Sequence, residues 1–397
     1  MRMTLFGYGK TAAAIAERFG ECDIFDDKFK QEESFGTNRL LPMDRFDPDQ
    51  STMEIVSPGI PPNHPQIRRA KNLISEYDLF AECSPFSIWI SGANGKTTTT
   101  EMIGRLLKNR GAITGGNIGS PLAALDMQAA IWALETSSFT LHYTTRARPN
   151  IYALLPITPD HIAWHGGFEA YEAAKLKPLE RLCEGELAII PAKYRDIPTK
   201  AFACYYETNE DIAEFFDLDA TRIKFKGCFL QDALVALAIS KALFDESDYD
   251  LLNGFVLDPH KIEEFKDRRG RLWIDDSKAT NLDATLQALD IYKDRRIHLI
   301  LGGDDKGADL TALFERLKEL DATIYAIGSN RDLLMKMASD RGIDAVLCGF
   351  LDIAVAKIDE KLGDLALGLL SPAAASLDQF SGYKERGEKF KSLVNAL

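Results

Sequence analysis

The stretch SGANGKTTTT, Ser91 to Thr100, constrains this chain more than any other. It follows the strand-like run SIWIS and opens onto helix-compatible residues, so it reads as strand, tight loop and helix start in that order. Backbone N–H groups at such a turn converge on one point, and the helix dipole favours negative charge there. The familiar phosphate loop, G-x-x-x-x-G-K-[ST], would carry its first glycine where this chain has Ile90. A polar turn that merely caps a helix is the plainer alternative, but strand, G-K-T and helix together favour phosphate. Lys96 is then placed to reach the outer phosphates of a nucleotide, and the Thr97 hydroxyl to ligate Mg²⁺.

A loop of this kind needs an α/β sheet around it, and the rest of the chain supplies the pattern. Short apolar runs alternate with helical stretches throughout its 397 residues, a length that exceeds one ordinary core. Three consecutive α/β domains are expected. A Rossmann-like domain over 1–82 begins with the strand MTLFG, the turn Gly7-Tyr8-Gly9 and an Ala-rich helix. A central P-loop ATPase-like domain with a parallel sheet spans 83–257, and a second Rossmann-like domain spans 258–397. The charged fraction of 27% and hydrophobic fraction of 46% fit a soluble globular protein. No apolar run nears the ~20 residues of a membrane span, and the start lacks a signal-peptide pattern. Cys22, Cys83, Cys183, Cys204, Cys228 and Cys348 show no C-x-x-C pairing, so reduced and mostly buried thiols in a cytoplasmic protein are expected. The net charge of −13 argues against a nucleic-acid surface, though not against small anionic ligands.

Several residues stand where open α/β sheets place ligands, at the carboxyl ends of strands. Glu135 ends the run AIWALE and is placed to hold Mg²⁺, although a solvated strand-end glutamate reads equally well. Asp160-His161 follows IYALLP, with a metal role and a surface or capping role evenly balanced. Asn117 lies in the turn NIGSP, and taken alone that is only a turn. Lys175, in FEAYEAAKLKP, is by itself one more solvated lysine, and Pro178 is expected to end or kink its helix. Further on, Asp276-Ser277-Lys278, Gly302 to Lys306, and Ser371 to Phe380 each follow a strand. Three such loops on one sheet suggest a single binding edge.

Taken together, GANGKTT, NIGSP, ETSSF, PDH, EAYEAAK, DDSKATN and LSPAAASLDQF resemble the Mur ligases, the amide-forming enzymes of peptidoglycan synthesis. The resemblance covers nearly the whole chain and is densest over 91–175 and 273–390. The last two motifs resemble the branch that adds D-glutamate. The family's loop has the form G-[TA]-N-G-K-[ST], which accounts for Ile90.

The resemblance implies ATP contacts from Gly92, Ala93, Asn94, Gly95, Lys96, Thr97 and Thr98, with Lys261, Asp276 and Lys278 from the third domain. It implies two Mg²⁺ ions held by Thr97, Glu135, His161 and a carbamylated Lys175, and a catalytic set of Lys96, Glu135, His161 and Lys175. Lys10, Thr11, Asp26, Ser57, Gly59 and Asn117 match positions that receive a UDP-linked substrate, UDP-MurNAc-L-Ala. Thr280, Lys306, Ser376, Leu377 and Tyr383 match positions around D-glutamate. A monomer acting on small molecules, without nucleic acid or membrane insertion, is expected. Two departures stand out. The stretch Gly227 to Ala233 replaces a run whose asparagine reads adenine, so the base must be held otherwise. Lys261 stands where the family has arginine, which keeps the charge but loses the bidentate fork on phosphate.

The implied reaction is ATP-dependent amide formation through an acyl phosphate, with closure of the domains over it. Rival readings are a sister ligase or a folylpolyglutamate synthetase, a P-loop regulatory ATPase, and a dehydrogenase built on Gly7-Tyr8-Gly9.

Overall fold

A computed structural model describes residues 2–397 and contains three six-stranded sheets among them. The first is built from β1 (Met3–Phe6), β2 (Cys22–Asp26), β3 (Glu33–Phe35), β4 (Asn38–Pro42), β5 (Glu54–Val56) and β6 (Leu73–Ile74). Its order is β3-β4-β2-β1-β5-β6, parallel except for the β3–β4 pair. The second holds β7 (Phe86–Ser91), β8 (Ala112–Gly116), β9 (Ile131–Glu135), β10 (Ile151–Leu154), β11 (Leu187–Pro191) and β12 (Phe202–Tyr206). It runs β12-β11-β10-β7-β9-β8 and is parallel throughout. The third holds β13 (Glu263–Lys266), β14 (Leu272–Asp275), β15 (Arg296–Leu301), β16 (Ala322–Ile327), β17 (Ala345–Gly349) and β18 (Ala366–Leu370). Its order is β13-β14-β18-β15-β16-β17, with only β13 antiparallel.

Every residue of β9, β10, β11, β16 and β18 is buried. This is why these strands read as unbroken apolar runs: a parallel strand covered on both faces has no polar side to alternate with. In the first two sheets a central strand has neighbours reached by crossovers in opposite directions: β1 between β2 and β5, β7 between β9 and β10. Such switch points open a crevice beyond the strand ends, and the phosphate loop leaves β7 at one of them.

The stretch up to Phe225 forms one compact unit with Phe229–Phe255, and it carries the first two sheets. Lys226–Cys228 and Val256–Leu397 form the other, which carries the third.

Three local expectations are corrected or narrowed. The short edge strands β3 and β13 were hidden by their polar composition, ESF and EEFK. Of the two outcomes expected at Pro178, ending the helix is excluded, since the helix runs from Phe168 to Arg181. The Tyr152 hydroxyl donates to Lys175 O at 2.5 Å, one residue beyond the Ala174 carbonyl that loses its helical donor at Pro178. The cysteines are all free thiols, yet only Cys22, Cys204 and Cys348 are buried, while Cys83 and Cys183 are exposed.

Candidate active site

The loop after β7 is shaped by two glycines that no other residue could replace without movement. At Gly92, with φ of 140°, a Cβ would lie 2.6 Å from the Leu155 Cβ. At Gly95, with φ of 82°, it would lie 2.3 Å from Asp232 Oδ1. Ala93 N donates to Pro156 O (2.9 Å), tying the loop to the end of β10. The helix Lys96–Leu106 starts immediately, so its first N–H groups face the loop. Lys96 folds back on the loop itself and donates to Gly92 O (3.0 Å) and Ala93 O (2.7 Å).

Around this loop the structure gathers the residues singled out above. Thr97 Oγ1 donates to Glu135 Oε2 at 2.7 Å. Asn117 holds the same residue twice: its side-chain amide donates to Glu135 Oε1 (2.7 Å) and its backbone N–H to Glu135 O (2.9 Å). Lys175 reaches the loop from the helix Phe168–Arg181, with Nζ 2.7 Å from Gly92 O and 3.4 Å from Ser91 Oγ. It is only 1% exposed, so it is no solvated lysine. Burial, and then the nearby Lys96 charge, push its amine well below the ordinary lysine range. His161 heads the short helix Ile162–His165 with a left-handed φ of 52°. Its ring packs 4.6 Å from Phe139 and 6.4 Å from Tyr171, one helical turn before Lys175.

Asp232 was met only as part of a departing stretch, yet its placement is specific. It lies on the helix Cys228–Phe244, is buried against the phosphate loop, and accepts from Thr99 Oγ1 at 3.0 Å. Nothing in its local pattern marks it, because the surrounding run DALVALAIS reads only as an apolar helix.

Lys10, Thr11 and Asn117 line one cavity with Pro58, Glu76 and Tyr143. It sits beyond the carboxyl ends of β1 and β5, where the helix Lys10–Phe19 begins. Asp26 and Ser57 do not line it but hold the turn after β1: Asp26 accepts from Tyr8 N (2.6 Å) and Lys28 N (2.9 Å), and Ser57 Oγ donates to Gly7 O (3.0 Å). Gly59 is exposed in the adjoining turn. Glu76 was not anticipated. Its carboxylate accepts from Ala123 N (2.8 Å), and burial raises it to about 7.

In the other unit Asp276 is buried and accepts from Ser371 Oγ (2.7 Å) and Ile262 N (3.2 Å), with burial raising it to about 7. That grip holds a segment in which both His260 and Ile262 have positive φ, with Lys261 between them. Lys278 Nζ lies 3.1 Å from Asp258 Oδ2. Lys306 is exposed on a turn with φ of 53°, Thr280 and Leu377 are also exposed, and Ser376 is buried. Tyr383 opens the final helix and its carbonyl accepts from Ser277 Oγ at 2.8 Å.

Residues 90–214, which carry the loop, Glu135, His161 and Lys175, match the model of the Mur ligase middle domain. Over its whole length the chain is 51% identical to UDP-N-acetylmuramoylalanine–D-glutamate ligase of Campylobacter jejuni subsp. jejuni (strain 81-176), covering all of both proteins. The chain belongs to the Mur ligase family. The enzyme of the same name from Helicobacter pylori (strain HPAG1) is 44% identical to this Mur ligase, over 99% of each. Among solved structures, MurF ligase from Thermotoga maritima in complex with ADP superposes with a TM-score of 0.62 at 14% identity. That match covers 99% of this Mur ligase and 94% of the MurF chain, and it supports the fold.

Proposed function

We propose that this Mur ligase joins D-glutamate to UDP-N-acetylmuramoyl-L-alanine, using ATP, in the synthesis of peptidoglycan precursors. The observation that carries this reading is the full-length 51% identity with the Campylobacter D-glutamate ligase. The substrate carboxylate attacks the γ-phosphorus of ATP, giving an acyl phosphate and ADP. The amine of D-glutamate then attacks the activated carbonyl, and phosphate leaves.

The phosphate loop and the start of the helix Lys96–Leu106 bind the phosphates through backbone N–H groups. Lys96 moves from the Gly92 and Ala93 carbonyls to the phosphate oxygens and offsets charge on the transferring group. The Thr97 hydroxyl and Glu135 carboxylate, 2.7 Å apart, form the hard oxygen donor pair that suits Mg²⁺, with His161 toward a second ion. Bound Mg²⁺ supplies Lewis-acid neutralisation of phosphate charge. Lys175 fits the scheme as a carbamate. Burial favours its neutral amine, the form that adds CO₂, and the resulting carbamate anion offers oxygen donors to a metal ion.

The cavity at Lys10, Thr11 and Asn117 takes the UDP-linked substrate, with Asp26 contributing from the end of β2 and Ser57 and Gly59 from the turn after β5. Lys261, Asp276 and Lys278 serve ATP, and Thr280, Lys306, Ser376, Leu377 and Tyr383 surround D-glutamate. The enzyme acts as a cytoplasmic monomer; among the described residues no helix is long and apolar enough to cross a membrane. Phosphate release measured with ATP, the UDP-substrate and a panel of amino acids tests the reading. Release with D-glutamate alone is expected. Release only with a diamino acid or dipeptide would point to a sister ligase, and release without any amino acid to a regulatory ATPase.

A further inference from the structure

The turn that displays Lys306 is held by a residue on a neighbouring loop. β15 is followed by Gly302 and Gly303, both with positive φ, and the chain then turns through Asp304, Asp305 and Lys306. Lys306 has φ of 53° and Gly307 of 74°, a backbone that a lysine adopts only where its surroundings over-determine it. Within the turn, Asp304 Oδ1 accepts from Lys306 N (3.0 Å) and Asp305 Oδ1 from Gly307 N (2.9 Å). The other oxygen of Asp305 accepts from Asn330 Nδ2 at 2.7 Å. Asn330 Oδ1 in turn accepts from Gly303 N at 3.1 Å, so one amide clamps the turn at both ends.

The loop carrying Asn330, which follows β16, is itself wedged in place. Ser329 Oγ donates to Gly303 O (2.9 Å), and Ser329 N donates to Asp378 Oδ2 (2.8 Å) on the loop after β18. A Cβ on Gly328 would sit 2.5 Å from Gly303 Cα, so the two loops cross with no space between them. Asp304 and Ala375 exchange both backbone hydrogen bonds at 2.9 Å. Loops from β15, β16 and β18 thus form one knot with Lys306 at its rim.

We infer that Asn330 is a positioning residue for the incoming amino acid, presetting Lys306 to receive a carboxylate of D-glutamate. The inference rests on the reading of Lys306 as a D-glutamate contact. The Asn330 side chain is committed to Gly303 and Asp305. It acts by fixing the strained turn, and a carboxylate contact displaced by about 1 Å can cost on the order of 10²-fold.

The test uses the full-length enzyme and the KM values of all three substrates, with thermal unfolding alongside. N330D keeps the acceptor for Gly303 N but replaces the donor to Asp305 with a like charge. It should raise the KM for D-glutamate about tenfold or more, with the KM for ATP and for the UDP-substrate within twofold of wild type. The double substitution N330D/D305N restores a donor–acceptor pair in reverse and should recover most of the loss. K306A serves as the reference. If K306A raises the D-glutamate KM while N330D leaves it within twofold, the inference is overturned and the site reading stands. If K306A also leaves it unchanged, the reading of Lys306 fails and the inference falls with it. A uniform rise in all three KM values with early melting would overturn the positioning role in favour of a general folding one.

Discussion

Gly95→Ala is the substitution that most directly tests how the phosphate loop is built. Two costs can be separated. An L-residue in the left-handed region costs about 1–2 kcal/mol. The new Cβ would also lie 2.3 Å from Asp232 Oδ1 and 2.8 Å from Leu155 Cδ1, closer than side chains tolerate. Relief requires Asp232 to swing away and give up its 3.0 Å bond from Thr99, a charged hydrogen bond worth about 1.5–3 kcal/mol. Together these predict a loss of roughly 3–5 kcal/mol. Gly166 provides the control, since it has the same φ of 82° with nothing within 4 Å of where an added methyl group would lie. Gly166→Ala should therefore show only the backbone part. At about 2–4 °C per kcal/mol for a unit of this size, the clash part alone should make G95A melt at least about 3 °C below G166A. ADP titration calorimetry should show G95A binding at least about tenfold more weakly, with the UDP-substrate unaffected. Equal melting temperatures for the two variants would refute the claim that Asp232 and the loop are packed in contact. A loss that persists in full in a D232A background would assign the clash to Leu155 instead.

Three further outcomes are expected. Lys175→Met replaces a buried amine with an apolar chain of similar length, so it should lose at least about 10²-fold in kcat while melting near wild type and still binding the UDP-substrate; wild-type-like turnover would remove Lys175 from the metal site. Glu135→Gln keeps an oxygen acceptor for Thr97 but loses the charge, so the Mg²⁺ concentration for half-maximal activity should rise about tenfold or more, and an unchanged Mg²⁺ dependence would argue against ligation. Glu76 is held near 7 by burial, against an ordinary 4.5, so the folded state keeps its proton at pH values where the unfolded chain has lost it. Stability should fall as pH rises through that interval, by up to about 3 kcal/mol at pH 8. Glu76→Gln keeps an acceptor for Ala123 N, and its advantage over wild type should be absent at pH 4 and full at pH 8; an equal difference at both would sink the assignment.

What could be read from the sequence was whatever local chemistry repeats along the chain. The apolar runs SIWIS, AIWALE and IYALLP gave β7, β9 and β10, because strands buried on both faces leave a continuous signature. The strand–loop–helix order around Lys96 gave the phosphate loop despite Ile90, because the geometry needs only the turn and the helix start. Edge strands such as EEFK were invisible, since one face is solvated and the alternation is short. Pro178 could not decide between ending and kinking its helix for a related reason. A missing N–H weakens a helix locally, but whether the helix ends depends on what packs there, and here Tyr152 from β10 reaches the same stretch.

The site residues divide along the same line. Glu135 was named from its strand end, Thr97 from the phosphate loop and Asn117 from the resemblance, and their mutual hydrogen bonds follow from adjacent strands carrying their ends to one edge. Lys175 differs, because its chemistry depends on burial, and no pattern in EAYEAAK marks a lysine as 1% exposed. Asp232 and Asn330 go further. Each acts, on the geometry above, by holding a loop from another part of the chain, Asp232 from 133 residues beyond Thr99 and Asn330 from 25 beyond Asp305. Residues that meet ligands sit in recognisable loops, whereas those that hold the loops still are specified only by the neighbours that folding brings to them.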